Sequence, residues 1–289
     1  MDKEEYKRKA IRLIEERPQD DSLTVSDEQM ELFDFIPRKL YKYCPVNEYY
    51  LQDINEDKLF ISPIEYLDDQ FEAKLSLRYD FSQYYENLKT FLKQFPDISH
   101  LINDDENPEK SAYDLSSLLF KTRKEYGICS LSETNDSQIM WQMYGNSYRG
   151  ICIEYDIAGW NDNKTKANIL PVSYVAEKDS DPLKLLKDVI IQRITKKKDE
   201  QIRHYVNAWV ADLFTTKNEE WSLQKEWRIL GKAGTLIDGP EISAIIIGNM
   251  IEDSDRKTIS DICRSRNITL YEVTEDYKHL KIAFRSVDL

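Results

Sequence analysis

The sequence predicts an α+β fold with a mixed sheet and helical insertions. Segments typical of strands, either apolar or alternating between apolar and polar residues, fall in two clusters, before about residue 175 and after residue 220. Long patterns with helical spacing interrupt them at about residues 80–125 and 181–217. The order of segments itself is typical of an α+β domain.

The domain organisation follows from length and from the absence of dividing segments. A chain of 289 residues can form one large domain or two small ones. The sequence contains no repeat and no low-complexity linker. We therefore expect a single domain at residues 38–289, which follows an N-terminal helical lead at residues 1–37. Within this lead, helices are predicted at residues 3–16 and 27–35, the second with Ser26 as its N-cap.

The predicted strands and shorter helices each have a local signal. LYKY, LFIS and GICIEY are short and apolar, and ISAIII is an almost continuous apolar run, as in a strand buried on both faces. The predicted strands are residues 40–43, 59–62, 127–132, 150–155, 172–175, 221–230, 242–247, 268–273 and 281–284, and the shorter helices are residues 47–54, 138–144 and 253–266.

Composition limits the classes of function. The net charge of -13 disfavours general nucleic-acid binding, which needs a basic surface, but it allows a local basic pocket. The four cysteines form no CxxC motif, which fits a reducing compartment. Neither a signal peptide nor a membrane span is predicted. We therefore expect a cytoplasmic protein that does not bind membranes.

Several common catalytic motifs are missing from the sequence. It contains no GxGxxG and no GxxxxGK[ST], which disfavours a standard Rossmann or P-loop nucleotide site. The three histidines are scattered and no HExxH occurs, so no metal site is expected. No GxSxG elbow is present, which disfavours a triad hydrolase.

A candidate small-ligand site lies on the predicted strand at residues 221–230. Because side chains alternate along a strand, Gln224, Glu226 and Arg228 should share one face, opposite Trp227 and Ile229. Same-face residues two apart lie about 7 Å apart, so one small polar ligand could contact all three. The alternative is a half-exposed strand whose polar face is only hydrated. The fully apolar strand that follows, residues 242–247, favours an interior position.

Two further groups could contribute to the site. Lys42 lies between two tyrosines, one of them Tyr43, in a short apolar strand, and Ser62 ends the next strand, before an acidic loop that contains Asp69. The alternative for the loop is a polar surface turn. Trp141 and Tyr144 share one face of a short helix, a spacing that is more often typical of core aromatics.

These segments together resemble a bacterial family catalogued as domain of unknown function 2971. The pattern of that family includes an LY[KR]Y strand, a serine-proline, [FL]NDPFE, MWxxYxxxxxGICIE and WxxExExR. The corresponding segments here are LYKY, Ser62-Pro63, LDDQFE, MWQMYGNSYRGICIE and WSLQKEWR, in the same order across roughly residues 38–250. Asp68, Gln70 and Gln224 stand where the family pattern has asparagine, proline and glutamate. The resemblance implies no established activity.

The order of motifs is also similar to the ADP-ribosyltransferase fold, most closely to the toxins that modify DNA. This resemblance implies a split antiparallel or mixed sheet core with helical insertions. The resemblance implies that Lys42 replaces the His/Arg of the first strand, Ser62 represents the second motif, and Gln224-Lys225-Glu226 represents [QE]xE. Glu226 would then stabilise the positive charge on the ribose when the nicotinamide bond breaks. The resemblance further implies that Gln224 positions the acceptor nucleophile and that Lys42 or Arg228 holds the pyrophosphate or ribose. Tyr43 or Trp141 would stack on a ring of the cofactor. Ser62, Asp69 and Tyr144 would also bind the cofactor.

The implied function is that of an ADP-ribosyltransferase-like protein that binds NAD and modifies a macromolecule as a toxin or anti-phage defence effector. Its expected partners are NAD or a related nucleotide and a protein partner such as an antitoxin. The alternative is a non-catalytic binding or regulatory module with a structural pair between Glu226 and Arg228. A nucleotide or glycoside hydrolase that uses Glu226 with Asp69 is a third hypothesis.

Overall fold

The computed structural model describes residues 1–16, 25–67, 124–177 and 199–289, together with residues 69, 90 and 93. These residues form a ten-stranded mixed sheet with several helices, so the predicted α+β class is confirmed. The helical insertion predicted at about residues 80–125, and the predicted helix over residues 181–198, lie outside the described residues. None of the described helices is long and apolar enough to cross a membrane.

Helix starts follow capping signals in the sequence. Ser26 accepts a hydrogen bond from the Gln29 N–H and the Gln29 side chain accepts one from the Ser26 N–H, which is a capping box. The helices are α1 (Lys3–Glu15), α2 (Asp27–Phe33), α3 (Glu48–Glu56), α4 (Gln138–Met143), α5 (Asn163–Lys166), α6 (Asp199–Phe214) and α7 (Asp253–Arg266), with 3₁₀ helices at Ile64–Tyr66 and Glu219–Gln224.

The strands form one large sheet and one small one. The strands are β1 (Lys39–Cys44), β2 (Lys58–Pro63), β3 (Tyr126–Ser132), β4 (Ile151–Asp156), β5 (Ile169–Pro171), β6 (Ser173–Val175), β7 (Thr216–Asn218), β8 (Glu226–Lys232), β9 (Thr235–Asp238), β10 (Ile242–Ile247), β11 (Thr269–Asp276) and β12 (Lys281–Ser286). In the large sheet β10 and β11 are parallel and the other pairs are antiparallel, in the order β12-β11-β10-β4-β1-β3-β2-β9, with β8 between β3 and β5. The small sheet pairs β6 with β7 in parallel.

The large sheet forks at β3. One edge of β3 pairs with β8 over its whole length, as far as the pair Ser132–Glu226. On the other edge, β2 pairs only with residues 127–128 and β1 only with Ser132. The middle of that edge has no strand partner among the described residues. Because β1 and β2 share one edge of β3 at its two ends, they diverge, and a gap opens between them.

The N-terminal helix packs into the same core as the sheet. Tyr6, Ala10 and Leu13 of α1 are buried with Trp227 and Ile229, which lie on the apolar face of β8. Burying an aliphatic or aromatic side chain of this size contributes roughly 1.5–3 kcal/mol. The Tyr6 hydroxyl also donates to the Ile169 carbonyl at 2.9 Å, so α1 is tied directly to β5.

The strand predicted at residues 221–230 is wrong in its first half. A 3₁₀ helix occupies Glu219–Gln224, Lys225 has a left-handed backbone with φ 45°, and the strand begins only at Glu226. The partner strand β3 ends at the pair Ser132–Glu226, so residues before Glu226 have no ladder to join. The apolar strand β10 is not a neighbour of β8 either, because it pairs with β4 and β11.

We predict that Lys225→Gly maintains or raises the free energy of unfolding, by up to about 1 kcal/mol, because a left-handed backbone costs a non-glycine residue roughly that much. Lys225→Val should lower it, since a branched side chain disfavours this conformation most. Urea unfolding measures both changes. Lys232→Gly, at an exposed lysine of β8 itself, is the control and should lower stability by ~0.5–1 kcal/mol. If Lys225→Gly and Lys232→Gly lower the free energy of unfolding equally, the proposed backbone strain at Lys225 is contradicted.

Candidate functional site

A cavity of about 190 Å³ lies at the fork between β1 and β2. Its wall includes residues of β1, β2, β3, β7 and the start of β8, and Tyr144, which directly follows α4. Residues far apart in the sequence therefore meet in one place. The cavity is lined by seven of the nine predicted site residues, namely Lys42, Tyr43, Ser62, Tyr144, Gln224, Glu226 and Arg228.

The other two predicted residues lie outside the cavity wall. Trp141 is fully buried, packs edge-to-face on Tyr43 at 5.3 Å between ring centroids, and donates from Nε1 to the Asn135 carbonyl at 2.8 Å. It therefore supports a wall residue rather than facing the cavity. Asp69 is also buried. Burial lowers the pKa of Arg228 to about 9, and the negative charge of the Asp69 carboxylate offsets part of this decrease.

A buried ion pair forms one side of the cavity. Arg228 donates from Nε to Glu226 Oε1 at 2.8 Å and from Nη2 to Glu226 Oε2 at 3.0 Å. Its Nη1 donates to the carbonyl of Phe214, the last residue of α6, at 2.5 Å. A guanidinium can make such a planar two-pronged contact, and it also satisfies a carbonyl at the negative end of the helix.

A second buried cation, Lys217 on β7, joins this pair. Its ammonium donates to Gln224 Oε1 at 2.8 Å and to Glu226 Oε2 at 3.4 Å, and it lies 4.9 Å from the ring centroid of Trp221. Lys217 was not a predicted site residue, because the sequence pattern places it at the end of the helix over residues 181–217. The structure ends that helix at Phe214, and a three-residue strand follows.

Both oxygens of the Glu226 carboxylate are engaged. They accept two hydrogen bonds from Arg228 and one from Lys217. Two carboxylate oxygens offer about four acceptor positions, so these three bonds occupy most of them. Burial raises the pKa of Glu226, while Lys217, Ser130 and the charge of Lys42 lower it.

The amide of Gln224 is engaged as well. Its Oε1 accepts from Lys217, and its Nε2 donates to the hydroxyl of Tyr144 at 2.8 Å. The left-handed turn at Lys225 points this side chain inward, and it is buried although its neighbour Leu223 is exposed. The Gln224–Tyr144 bond connects the 3₁₀ helix to the end of α4, across 80 residues of sequence.

Lys42 and Ser62 are different, because their donors remain available. Within the described part of the chain, the hydrogen-bond partner of the Lys42 ammonium is the Cys129 thiol, at 3.6 Å, and a thiol is a weak acceptor. Among the described residues, no carboxylate lies within ion-pair distance of Lys42, and the Ser62 hydroxyl makes no hydrogen bond. Burial lowers the pKa of Lys42, but Cys129, Tyr50 and other neighbours raise it more, so the side chain stays protonated.

The cavity is positive although the chain has a net charge of -13. Among the described residues, Lys42, Lys217 and Arg228 face Glu226, and even with Asp69 counted, cations outnumber carboxylates three to two. A cleft lined with one sign of charge attracts ligands of the opposite sign. In the part of the chain that the structure describes, no group of three or more His, Cys, Asp or Glu side chains is suited to a metal ion.

Tyrosines form much of the remaining wall. Beside the predicted Tyr43 and Tyr144, the cavity is lined by Tyr41, Tyr50 and Tyr66, which were not among the predicted site residues. Since the sequence contains 18 tyrosines, composition alone does not distinguish these three. Aromatic faces can pack on a flat ring of a ligand. The cavity therefore combines available positive charge with aromatic surface.

We predict that Arg228→Met lowers the free energy of unfolding by about 3–5 kcal/mol, because it leaves the buried Glu226 without its main partner. The double variant Glu226→Leu with Arg228→Met should lose less, since no carboxylate is then left without its partner. Chemical denaturation followed by circular dichroism measures both changes.

The control for this prediction is Lys58→Met, which removes an ion pair whose Asp238 partner is 84% exposed. Such a pair contributes ~0–1 kcal/mol. If Arg228→Met costs no more than this control, the network around Glu226 is not a structural support of the cavity.

The comparisons with known proteins find a match to one family model over part of the chain, and they indicate no activity. A family model described as protein of unknown function (DUF2971) matches residues 140–229. This segment contains Tyr144, Lys217, Gln224, Glu226 and Arg228, and the match confirms the resemblance to that family. No curated protein and no solved structure matches the chain.

Proposed function

Starting from a chain whose residues 140–229 carry the pattern of the DUF2971 family, we propose that the cavity binds a small anionic ligand of the nucleotide class, such as NAD. The observation that supports this most is the state of Lys42. Its ammonium faces a tyrosine-lined cavity and has no carboxylate partner among the described residues. A half-buried cation of this kind is costly unless an anion or water satisfies it.

Phosphate is the anion that fits the available groups. Lys42 supplies charge and three N–H donors, and the Ser62 hydroxyl supplies a further donor on the opposite strand. The tyrosine rings can pack on a base or a nicotinamide. At about 190 Å³ the cavity is smaller than the roughly 300–1,000 Å³ of sites for drug-sized ligands. It therefore accommodates one part of a nucleotide, and the rest would lie outside it.

In this proposal Glu226 and Arg228 hold the wall and do not react. Both oxygens of Glu226 are engaged, and Arg228 is 1% exposed, so neither presents a free group to the ligand. The function that follows is a ligand-binding or regulatory module. If the module is regulatory, ligand binding would shift the elements that the hydrogen bonds of Glu226 and Gln224 connect.

ADP-ribosyl transfer is the second candidate, and one observation favours it. Lys42, Ser62, Gln224 and Glu226, which the resemblance to that fold requires together, line one cavity. In this reaction the bond between nicotinamide and ribose breaks, nicotinamide leaves with the bonding electrons, and a nucleophile attacks the ribose and loses its proton. Glu226 would stabilise the positive ribose with its remaining acceptor position, or after exchanging the 3.4 Å hydrogen bond from Lys217 for one from a ribose hydroxyl. The biological role would be that of a toxin or defence effector.

We predict that Lys42→Met weakens binding of NAD about 10- to 100-fold with little loss of stability, because a charge-assisted hydrogen bond contributes ~1.5–3 kcal/mol. Isothermal titration calorimetry with NAD, AMP and inorganic phosphate measures this change. The control is Lys39→Met on the same strand, whose ammonium is 53% exposed and pairs with Glu154 at 2.6 Å. Unchanged affinity in Lys42→Met, or no binding of any of these anions by the wild-type protein, rejects the proposal.

Catalysis and binding are separated by a second measurement. If the protein is a binding module, incubation with NAD releases no nicotinamide although NAD binds. If it is a transferase, nicotinamide is released, an ADP-ribose mass appears on an acceptor, and Glu226→Gln abolishes release while NAD binding persists. Release without a modified acceptor would indicate NAD hydrolysis.

A further inference from the structure

A buried lysine of the N-terminal helix contacts the segment that carries Lys217. Lys7 is 3% exposed, although lysine is almost never fully buried without partners. Its ammonium donates to the Thr215 carbonyl at 2.9 Å, to Ser173 Oγ at 3.0 Å and to Thr216 Oγ1 at 3.1 Å. Asp212, which is 60% exposed, adds an ion pair at 2.9 Å.

The contacts of Lys7 hold two strands at once. Ser173 belongs to β6 and Thr216 to β7, and these two residues are paired in the small parallel sheet. The ammonium of Lys7 therefore contacts both strands of the small sheet and also the Thr215 carbonyl, which directly precedes β7. Burial lowers the pKa of Lys7, while Asp212 raises it.

The segment that Lys7 holds carries groups of the cavity wall. Thr216 is followed directly by Lys217, whose ammonium contacts Gln224 and Glu226. Thr215 is preceded by Phe214, whose carbonyl accepts from Arg228. Residues 214–217 thus contact α1 on one side and the buried ion pair on the other.

The second strand of the small sheet reaches the same wall. Tyr174 follows Ser173 on β6, and its hydroxyl accepts a hydrogen bond from the Glu226 backbone N–H at 2.9 Å. The residue pair Tyr174–Lys217 continues the register of Ser173–Thr216. Displacing the small sheet would therefore move the side chain of Lys217 and release the backbone of Glu226 together.

We propose that Lys7 is a positioning residue for the cavity, and that docking of α1 and binding of an anion in the cavity are coupled through β6 and β7. The coupling rests on the proposed ligand-binding function, whereas the positioning of Lys217 can be measured without any ligand. Coupling between two events is reciprocal, so an anion bound in the cavity, whose wall Lys217 helps to form, also stabilises the docked α1.

The first test uses the full chain without ligand. Wild-type protein, Lys7→Met and Lys9→Met are treated with an amine-modifying reagent, and modification at each lysine is quantified by mass spectrometry. Lys9→Met is the matched control, because Lys9 lies on the same helix and its ammonium pairs, among the described residues, with the partly exposed Glu5. Lys166, which is 8% exposed and does not line the cavity, reports general unfolding.

We expect Lys7→Met to increase modification of Lys217 about tenfold, since buried hydrogen bonds are lost, and to leave Lys166 unchanged. Lys9→Met should change neither lysine. Because Lys7→Met could unfold the chain, Thr216→Val provides a milder variant that keeps the charge. It removes one contact of Lys7 and the hydrogen bond from the Thr216 hydroxyl to the Asp212 carbonyl. A smaller increase at Lys217 supports the proposal. Folded variants in which Lys217 is modified at the wild-type rate overturn it.

The second test measures the coupling. Hydrogen exchange of α1 is compared with and without NAD or inorganic phosphate, and the affinity for whichever binds is measured in Lys7→Met. Slower exchange of α1 with the anion, and at least about tenfold weaker binding in the variant, support the coupling. If an anion binds and neither change occurs, the coupling is wrong. If neither anion binds the wild type but Lys217 becomes accessible in Lys7→Met, the proposed function fails and the positioning role stands.

Discussion

The buried pair of Glu226 and Arg228 is the constraint on which the cavity depends. Moving a carboxylate and a guanidinium out of water costs several kcal/mol for each ion unless their hydrogen-bonding capacity is met inside the protein. The fold meets it with the Phe214 carbonyl at the end of α6, Lys217 on β7 and Ser130 on β3. Elements distant in sequence must therefore converge at the start of β8.

The fork of the sheet explains why some polar groups stay available. Since β1 and β2 share one edge of β3 only at its ends, the middle of that edge has no strand partner among the described residues. Lys42 and Ser62 line the cavity at this gap. The wall thus divides into an engaged half, around Glu226, and an available half, on β1 and β2. Ligand contacts belong to the available half, and the engaged half shapes the wall.

The N-terminal helix belongs to the same arrangement. Its apolar face packs with Trp227 on the far side of β8, and Lys7 reaches the small sheet beside the cavity. The ammonium of Lys7 is buried for the same reason as Arg228, because carbonyl and hydroxyl oxygens surround it. Two buried cations therefore contact residues 214–217 from opposite sides. This places a short strand, with Lys217 on it, between α1 and the cavity.

Local patterns in the sequence predicted the α+β class, most strands and helices, and the shared face of Glu226 and Arg228. Period-two alternation was sufficient for that face because it depends only on neighbouring residues of one strand. It failed for residues 221–225, where the ladder partner ends and a 3₁₀ helix forms instead. The strands β5, β7 and β9 were also missed, since three or four residues carry too little periodic signal.

The sequence by itself determined which residue types could meet at a site, such as Lys42, Ser62 and Glu226. Only the tertiary structure decided which of them are engaged. Whether Gln224 is available depends on Tyr144 and Lys217, and whether Lys42 is available depends on the fork at β3. These are long-range contacts, and no local propensity or periodicity encodes the partner of a buried polar group.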